Sequence, residues 1–549
     1  MNSQNSLKTS IIENIKNGLG RRLMDSCSAH AVKTRIMGNP FPGPWRFKYH
    51  PWSKEMHDAD DDLCIGQKSA QAAYTETLLN RTFYKIDIRK IDVLYILPAK
   101  NPDAGDFSAS RFDPALELSN YLKNLFSDVK NVGHKRSGAV NLYIRGSRSR
   151  SGLKSVPAGS IHFDEVDEMD QDNIPLAFER QSGQVEKQIW MISTPTIDDY
   201  GINKYFKNSS QDHFYFKCPS CGKQTELIFP ECLVITSDDP GDQKLKDTHL
   251  ICKECKNKLK HEEKFIWLSE GQWHSTKSGT SARGFHVNQL YSSTVEPWQL
   301  AQSFLLSQTS SSHEQEFYNS KLGLPHIVEG AKVSDIEITN AIQNYKNGAK
   351  GDYVTMGIDV GKWLHYVVTE WQLPSVLKTP DINFEAKGKV IEIGKVLHFE
   401  ELDAIMNKHR PRTTVIDANP EKRKAYEFAQ RFWGYIYLCY YGNNVKGKQI
   451  NKTAENLEQF ITVDRTSWLD CSLGRFFNNT IQLPLDTPHE FKENIKALVR
   501  KPDFDKTGNP IARYINTKSD HFGHANNYSE IALFLSQGLM ASSNIRSPR

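Results

Sequence analysis

Short apolar runs of strand length fall in two separate blocks of this chain, and several of them break off at a carboxylate or a hydroxyl. The first block holds VLYILPA (93–99), AVNLYIRG (139–146), GSIHFDEVD (159–167) and QIWMISTPT (188–196). The second holds DYVTMGIDVG (352–361), KVIEIGKVLHF (389–399), TTVIDAN (413–419) and GYIYLCYYG (434–442). Helical segments such as 111–127 lie between some of these runs, an alternation that predicts α/β sheets. At 549 residues the chain exceeds what one hydrophobic core supports, so each block is expected to be its own domain. Residues 295–320 read as helical, and LGLPHIVEGAKVSD (322–335) reads as an extended connection. The expected organisation is a lead segment 1–45 ending in GNPFPGPW, an α/β domain 46–325 containing a cysteine module at 212–275, a linker 326–350, and a second α/β domain 351–549. No apolar stretch reaches the roughly eighteen residues of a membrane span, and MNSQNSLKTS carries no signal-peptide core. A net charge of +4 does not by itself indicate a nucleic-acid partner.

In GSIHFDEVDEM, Asp164 and Glu165 stand directly after the apolar strand SIHF. In a nucleotide hydrolase the first acid holds Mg²⁺ and the second activates the attacking water. The same pair alone fits an acidic helix N-cap equally well. QIWMISTPT puts Ser193, Thr194 and Thr196 at the C-terminal edge of a strand, where open α/β sheets carry ligands and a hydroxyl can sense a γ-phosphate. A serine/threonine–proline turn is the plainer account of that run. Upstream, CIGQKSAQAAYTE (64–76) offers small residues that let backbone N–H groups curl around phosphates. Thr75 can reach Mg²⁺, but Tyr74 replaces the lysine of a standard phosphate loop, leaving Lys68 as the available cation. Between these runs, Arg145, Arg148, Arg150 and Lys154 crowd ten residues, either as a solvated loop or with one of them stabilising the transferred phosphoryl group.

Four of the nine cysteines form two CxxC pairs, Cys218/Cys221 and Cys252/Cys255, separated by thirty residues. This spacing predicts a small ribbon closed on structural Zn²⁺, against the alternative of redox disulfides. In the second block Asp359 and Asp417 end strands, and Asp520 opens a helix beside His521 and His524. Aspartate favours such positions for capping alone. Three acids converging on paired Mg²⁺ or Mn²⁺ would instead cleave phosphodiesters. The basic runs KHRPR (408–412), EKRKAYEFAQR (421–431) and VKGK (445–448) fit backbone contacts to DNA or a solvated helix face.

Taken together, KSAQAAYTE, GSRSRSGLKSVP, IHFDEVDEMD and ISTPT resemble the large terminase subunit of tailed bacteriophages, in the branch typified by the lambda packaging enzyme. The matching residues are Lys68, Ser69, Gln71, Thr75 and Glu76; Gly146, Ser149, Gly152, Leu153, Lys154 and Ser155; and Asp164, Glu165 and Asp167. Ala73 departs from a usual glycine, and its Cβ would resist a left-handed turn. The resemblance implies a P-loop-type ATPase with a zinc-ribbon insertion, followed by an RNase-H-like nuclease. It implies ATP, Mg²⁺ or Mn²⁺ and Zn²⁺ as cofactors, with Lys68, Ser69, Gln71, Thr75, Glu76, Asp164, Arg148, Lys154 and Thr194 at the nucleotide. Glu165 would serve ATP hydrolysis, and Asp359, Asp417 and Asp520 would serve DNA cleavage. Implied partners are double-stranded DNA, a small terminase subunit, the portal protein of the procapsid and further copies of the chain, in the host cytoplasm. A helicase or translocase with an appended nuclease is the rival enzyme, although its second half would not open on GIDVG. A zinc-containing DNA scaffold with a decayed ATPase loop is the non-enzymatic rival.

Overall fold

The four apolar runs of the first block and three more mixed segments of the N-terminal half become the seven parallel strands of one sheet. The computed structural model describes residues 24–126, 129–154, 156–374, 382–442, 445, 447–453, 459–504 and 510–543. Most of the lead segment, Ser155 and Lys446 of VKGK therefore lie outside the described residues. The chain divides into two compact units, Met1–Val328 and Glu329–Arg549.

In the first unit the parallel strands are β1 (Leu63–Lys68), β2 (Val93–Leu97), β3 (Val140–Gly146), β4 (Ser160–Asp164), β5 (Gln188–Ser193), β6 (Asp212–Lys217) and β7 (Arg283–Val287). Their order is β6-β7-β1-β5-β4-β2-β3 within a sheet of eleven strands. The first half of CIGQKSAQAAYTE is thus a central strand, and only Ser69–Ala73 forms the turn into α1 (Tyr74–Tyr84). All of β1 after Leu63 is buried, as expected of a strand covered on both faces. Cys64, Trp190 and Ile192 pack on one side with Leu78, Leu79 and Phe83 of α1. Ile65, Phe163 and Met191 pack on the other. Gln67 stands opposite Ser193, and Asp164 opposite Ile192, so the strand ends that carry Lys68, Ser193 and Asp164 lie side by side. The basic segment upstream of β4 contains the short helix α2 (Arg150–Lys154). Between β6 and β7 a three-stranded sheet, Leu233–Val234, His249–Ile251 and Lys258–Leu259, carries the cysteine module.

The second unit opens earlier than the sequence suggests. Within 326–350, Ser334 caps a helix, α3 (Asp335–Ala341), through a capping box with Glu337, and Ile342–Gln343 joins the sheet edge. The central strands are β8 (Val354–Val360), β9 (Leu364–Gln372), β10 (Lys387–Val396), β11 (Thr413–Asp417), β12 (Ile436–Tyr441), β13 (Phe460–Val463) and β14 (Ile481–Pro484), in the order β14-β10-β9-β8-β11-β12-β13. The pairs β8/β9 and β9/β10 are antiparallel, whereas β11 and β12 continue parallel to β8. Helix α4 (Lys422–Arg431) connects β11 to β12, and α5 (His521–Ser543) crosses the opposite face. Tyr528, Ile531 and Ala532 of α5 pack on Val415, Tyr437 and Cys439, while Phe399, Leu402 and Phe428 cover Met356, Ile358 and Ile416 on the far side. Gly357 is required for this layering: a Cβ there would lie 2.0 Å from the Ala525 carbonyl oxygen. Among the described residues, no helix is long and apolar enough to cross a membrane.

Candidate functional sites

The turn after β1 is anchored on every side. The Ser69 and Ala70 N–H groups donate to the carbonyls of Val287 (3.1 Å) and Ser320 (2.7 Å), and Trp52 Nε1 donates to the Ala72 carbonyl (3.0 Å). With those donors engaged, the segment from Gln71 to Glu76 faces a cavity of about 370 Å³. Gln71 (φ 63°) and Ala73 (φ 62°) are both left-handed. The Cβ of Ala73 therefore does not prevent the turn; it carries a strain of about 1–2 kcal/mol that the surrounding contacts hold in place. Tyr74, in the place of the usual lysine, is a packing residue whose ring covers Gly66, where a Cβ would lie 2.6 Å from it.

Lys68 takes the central polar position. Its Nζ is 2.7 Å from Glu165 Oε1 and almost wholly buried. Burial works to lower the ammonium, but the charges of Glu165 and Asp164 outweigh it and hold Lys68 above its ordinary value. Asp164 is pushed up to about 6 by burial and then by the Glu165 charge, and it accepts from the hydroxyls of Tyr95 (2.8 Å) and Thr75 (3.3 Å). Glu165 sits at φ 67°, a strained conformation that turns its carboxylate into the cavity, where Lys68, Thr75 and Thr194 also stand. Asp167 serves the scaffold instead. It accepts from Thr196 N–H and Oγ1 (both 2.7 Å) and Ile202 N–H (2.7 Å), tying the acidic turn to the STPT turn.

Not every sequence-predicted residue faces this cavity. Glu76 lines it, yet its carboxylate is engaged by Arg35 (2.6 Å) and Arg111 (3.5 Å). Ser69 is buried in the turn, and Arg148 and Lys154 are not among the described lining residues; the Lys154 carbonyl accepts from Arg180 (2.6 Å). Sequence reasoning missed the opposite wall, built by residues 37–50 with Phe41 stacked on Tyr49 at 3.9 Å, and it missed Arg111. The signal was the aromatic and proline content of GNPFPGPW and the residues after it.

The four paired cysteines converge, their ligand atoms all within 4.8 Å of one another. Both knuckles are built alike. Gly222 N–H donates to the Cys218 carbonyl (2.9 Å) and Lys256 N–H to the Cys252 carbonyl (3.0 Å), with Gly222 at φ 72° and Lys256 at φ 62°. Four thiolates about 2.3 Å from a tetrahedral ion stand about 3.8 Å apart. The Cys218 and Cys255 sulfurs are 3.9 Å apart. The donor set fits one divalent metal ion.

In the second unit Asp359 and Asp417 end the adjacent parallel strands β8 and β11, and Asp520 precedes α5, which lies across them. Burial, and the Asp359 charge with it, pushes Asp417 up to about 6. Asp520 is held below its ordinary value despite burial, because His524 (3.2 Å) and Arg465 (3.8 Å) face it. His521 Nδ1 lies 2.8 Å from Asp359 Oδ2, and that hydrogen bond raises the imidazole above its ordinary value. His365, which sequence reasoning missed, pairs directly across β8/β9 from Asp359 and stacks on His521 with ring centroids 4.7 Å apart. Much of the nearby basic charge is already matched: Lys408 pairs with Glu392, Lys424 with Glu421 (2.8 Å), Arg423 with Glu427 (3.1 Å) and Arg431 with Asp403 (2.9 Å).

Residues 39–273 match the family model described as phage terminase large subunit gpA, ATPase domain, and residues 282–467 match terminase large subunit gpA, endonuclease domain. No curated protein matches the sequence. Among solved structures, the chain is similar to the HK97 bacteriophage large terminase at a TM-score of 0.50 and 10% identity, over 92% of this chain and 99% of that one. The large terminase ATPase domain of Thermus phage P74-26 aligns at a TM-score of 0.28 and 11% identity, over 50% of this chain and 92% of that one. At such identities the likeness to the HK97 protein speaks to the fold alone.

Proposed function

Because this chain belongs to the family of phage terminase large subunits, with an ATPase and an endonuclease domain joined in one polypeptide, we propose a residue-level division of labour for its ATP-driven DNA translocation and DNA cleavage. The observation that carries it is the convergence of Lys68, Thr75 and Glu165 on one cavity at the C-terminal edge of a parallel sheet, with the buried Asp164 carboxylate accepting from Thr75 just behind it. ATP fits this cavity, with its phosphates at the Gln71–Thr75 turn and the N-terminus of α1. Lys68 neutralises phosphate charge from the strand side of the turn. Thr75 and Asp164 are the oxygen donors that would hold Mg²⁺, which when bound offsets charge on the β- and γ-phosphates. Glu165 takes the proton of the attacking water, and Ser193 and Thr194 sense the loss of the γ-phosphate.

In the second unit the strand order β10-β9-β8-β11-β12, antiparallel and then parallel, supports an RNase-H-like nuclease. Asp359, Asp417 and Asp520 would hold divalent ions there, which when bound activate water and stabilise the leaving oxygen. The four cysteines hold structural Zn²⁺. The lambda-like branch, the small terminase subunit, the portal protein and assembly with further copies belong to the same proposal and rest on the family and its motifs.

The test is a pair of substitutions in the full chain. Glu165→Gln should retain ATP binding and lose hydrolysis by about 100-fold or more, as expected of a missing general base. Asp164→Ala should weaken Mg²⁺–ATP binding itself. Near-normal turnover in the Glu165 variant would move the base elsewhere.

A further inference from the structure

His365 is packed between His521 and the edge of Phe522, and that packing does not account for its two ring nitrogens. It is on β9, its side chain is 4% exposed, and neither ring nitrogen has a hydrogen-bond partner. Its nearest acid, Glu490, is 3.6 Å away, beyond hydrogen-bond distance. A buried imidazole without a hydrogen bond costs about 1–3 kcal/mol in lost solvation. A small apolar residue could occupy this strand position without that cost. The β8/β9 register sets His365 opposite Asp359, and α5 brings His521 over the pair. One ligand atom from each of Asp359, His365 and His521 then falls within 4.8 Å of the others. Donors held about 2.1 Å from one ion stand roughly 3–4.2 Å apart, so the trio is close to a ligand set and closes on an ion with a small side-chain shift. A second structural detail keeps this corner open. A Cβ at Gly361 would lie 3.1 Å from His521 Cε1, so the last glycine of GIDVG leaves room for the imidazole.

We propose that His365 and His521 join Asp359 as ligands of one divalent-metal position in the nuclease centre, and that this mixed imidazole–carboxylate set favours first-row transition ions, Mn²⁺ among them, over Mg²⁺. Resting on the nuclease reading above, it adds a residue and an ion preference that three carboxylates alone would not give. Nitrogen donors suit first-row transition ions, whereas Mg²⁺ strongly prefers oxygen and retains its water. The His521–Asp359 hydrogen bond would be exchanged for two bonds to the same ion.

The full chain, with its cysteine site loaded with zinc and no nucleotide present, is titrated with Mn²⁺ and followed by electron paramagnetic resonance. Electron spin-echo modulation reads any imidazole nitrogen bound to the metal. The unaltered chain should show that nitrogen coupling and bind Mn²⁺ more tightly than Mg²⁺. His365→Ala and His365→Asn should each reduce the coupling from two imidazole nitrogens to the one of His521 and weaken Mn²⁺ binding by at least the roughly 10- to 100-fold that follows loss of a group supporting a ligating imidazole. A spectrum of the unaltered chain without nitrogen coupling overturns the proposal, and this holds even if both variants unfold. Unchanged Mn²⁺ affinity in a folded His365 variant overturns it as well. Asp359→Asn separates the two readings. If it abolishes Mn²⁺ binding and cleavage while His365 variants bind normally, the nuclease centre stands and only the imidazole assignment falls. If it leaves both intact, the centre itself is misplaced and the imidazole assignment falls with it.

Discussion

Gly357→Ala should disable DNA cleavage without touching any of the three acids of the proposed nuclease centre. The added Cβ would stand 2.0 Å from the Ala525 carbonyl oxygen and 2.3 Å from the Ser529 amide nitrogen. Ordinary contact begins near 3.4 Å, so β8 and α5 must separate by roughly 1.4 Å, and both obstructing atoms are backbone with no rotamer to absorb the strain. Overpacking of this kind costs about 1–3 kcal/mol, and a backbone-on-backbone case belongs at the upper end. For a unit of this size each kcal/mol lowers Tm by about 2–4 °C, giving a loss of roughly 6–12 °C in the nuclease transition. The catalytic effect should exceed the thermal one. Helix α5 carries His521, 2.8 Å from Asp359, and Asp520 stands just ahead of it. A displacement of about 1 Å at reacting groups costs on the order of 100-fold in rate. Calorimetry of the full chain, plasmid cleavage in Mn²⁺ and ATP hydrolysis as the internal control make the assay. ATPase activity should be unchanged. Native melting and cleavage in Gly357→Ala would show that the close approach of strand and helix does not set the geometry of the site.

Lys68→Ala should lower ATP affinity and turnover together, because the cation is lost from beside Glu165 as well as from the phosphates; nucleotide titration and steady-state rates would reveal a silent variant if another lysine does this work. Cys218→Ser or Cys252→Ser should unfold the cysteine module, since structural Zn²⁺ contributes on the order of 10–16 kcal/mol to folding of such sites; elemental analysis should find one zinc in the native chain and none in the variants. Glu392, facing His409 (2.6 Å) and Lys408, is brought down to about 2 although burial opposes this. A depressed carboxylate contributes stability that is present above its ordinary value near 4.5 and is lost as pH falls toward 2. Urea midpoints of the native chain and Glu392→Gln should therefore converge over that acid range, and a gap that stays constant would remove Glu392 from the account.

The strands were legible because their signal is local. VLYIL, SIHFD and QIWMIS are continuous apolar runs that end at turn-forming or charged residues, and they become β2, β4 and β5 with at most small shifts at their ends. β1 was harder to see. LCIGQK contains a glycine and two polar residues, which reads as a loop until its neighbours are known. Its burial follows from tertiary context: Gln67 donates to the Gly323 carbonyl, Lys68 finds Glu165, and Gly66 is filled by the Tyr74 ring. The linker misled for a related reason, since GAKVSD holds the cap of α3 in a single serine, and only Glu337 three residues later completes the box.

The residues of the proposed sites divide along the same line. Asp164, Glu165, Asp359 and Asp417 advertise themselves because a carboxylate at the end of an apolar strand is visible in one short window. Arg111 and His365 have no such window. Arg111 reaches the cavity beyond β1 from an irregular helical turn, 35 residues beyond the Glu76 it pairs with. His365 is one of three polar residues, with Thr369 and Glu370, in the strand run LHYVVTEW, where alternation alone would count it as part of a buried strand face. What distinguishes it is a relation that spacing cannot carry. The tight connection between β8 and β9 fixes their register, the register puts His365 opposite Asp359, and α5, more than 150 residues later, brings His521 onto both. Functional chemistry assembled across a strand pair and a distant helix becomes readable once the register is known. A β8–β9 connection altered by one residue would turn His365 to the other face of the sheet and leave Asp359 with His521 alone.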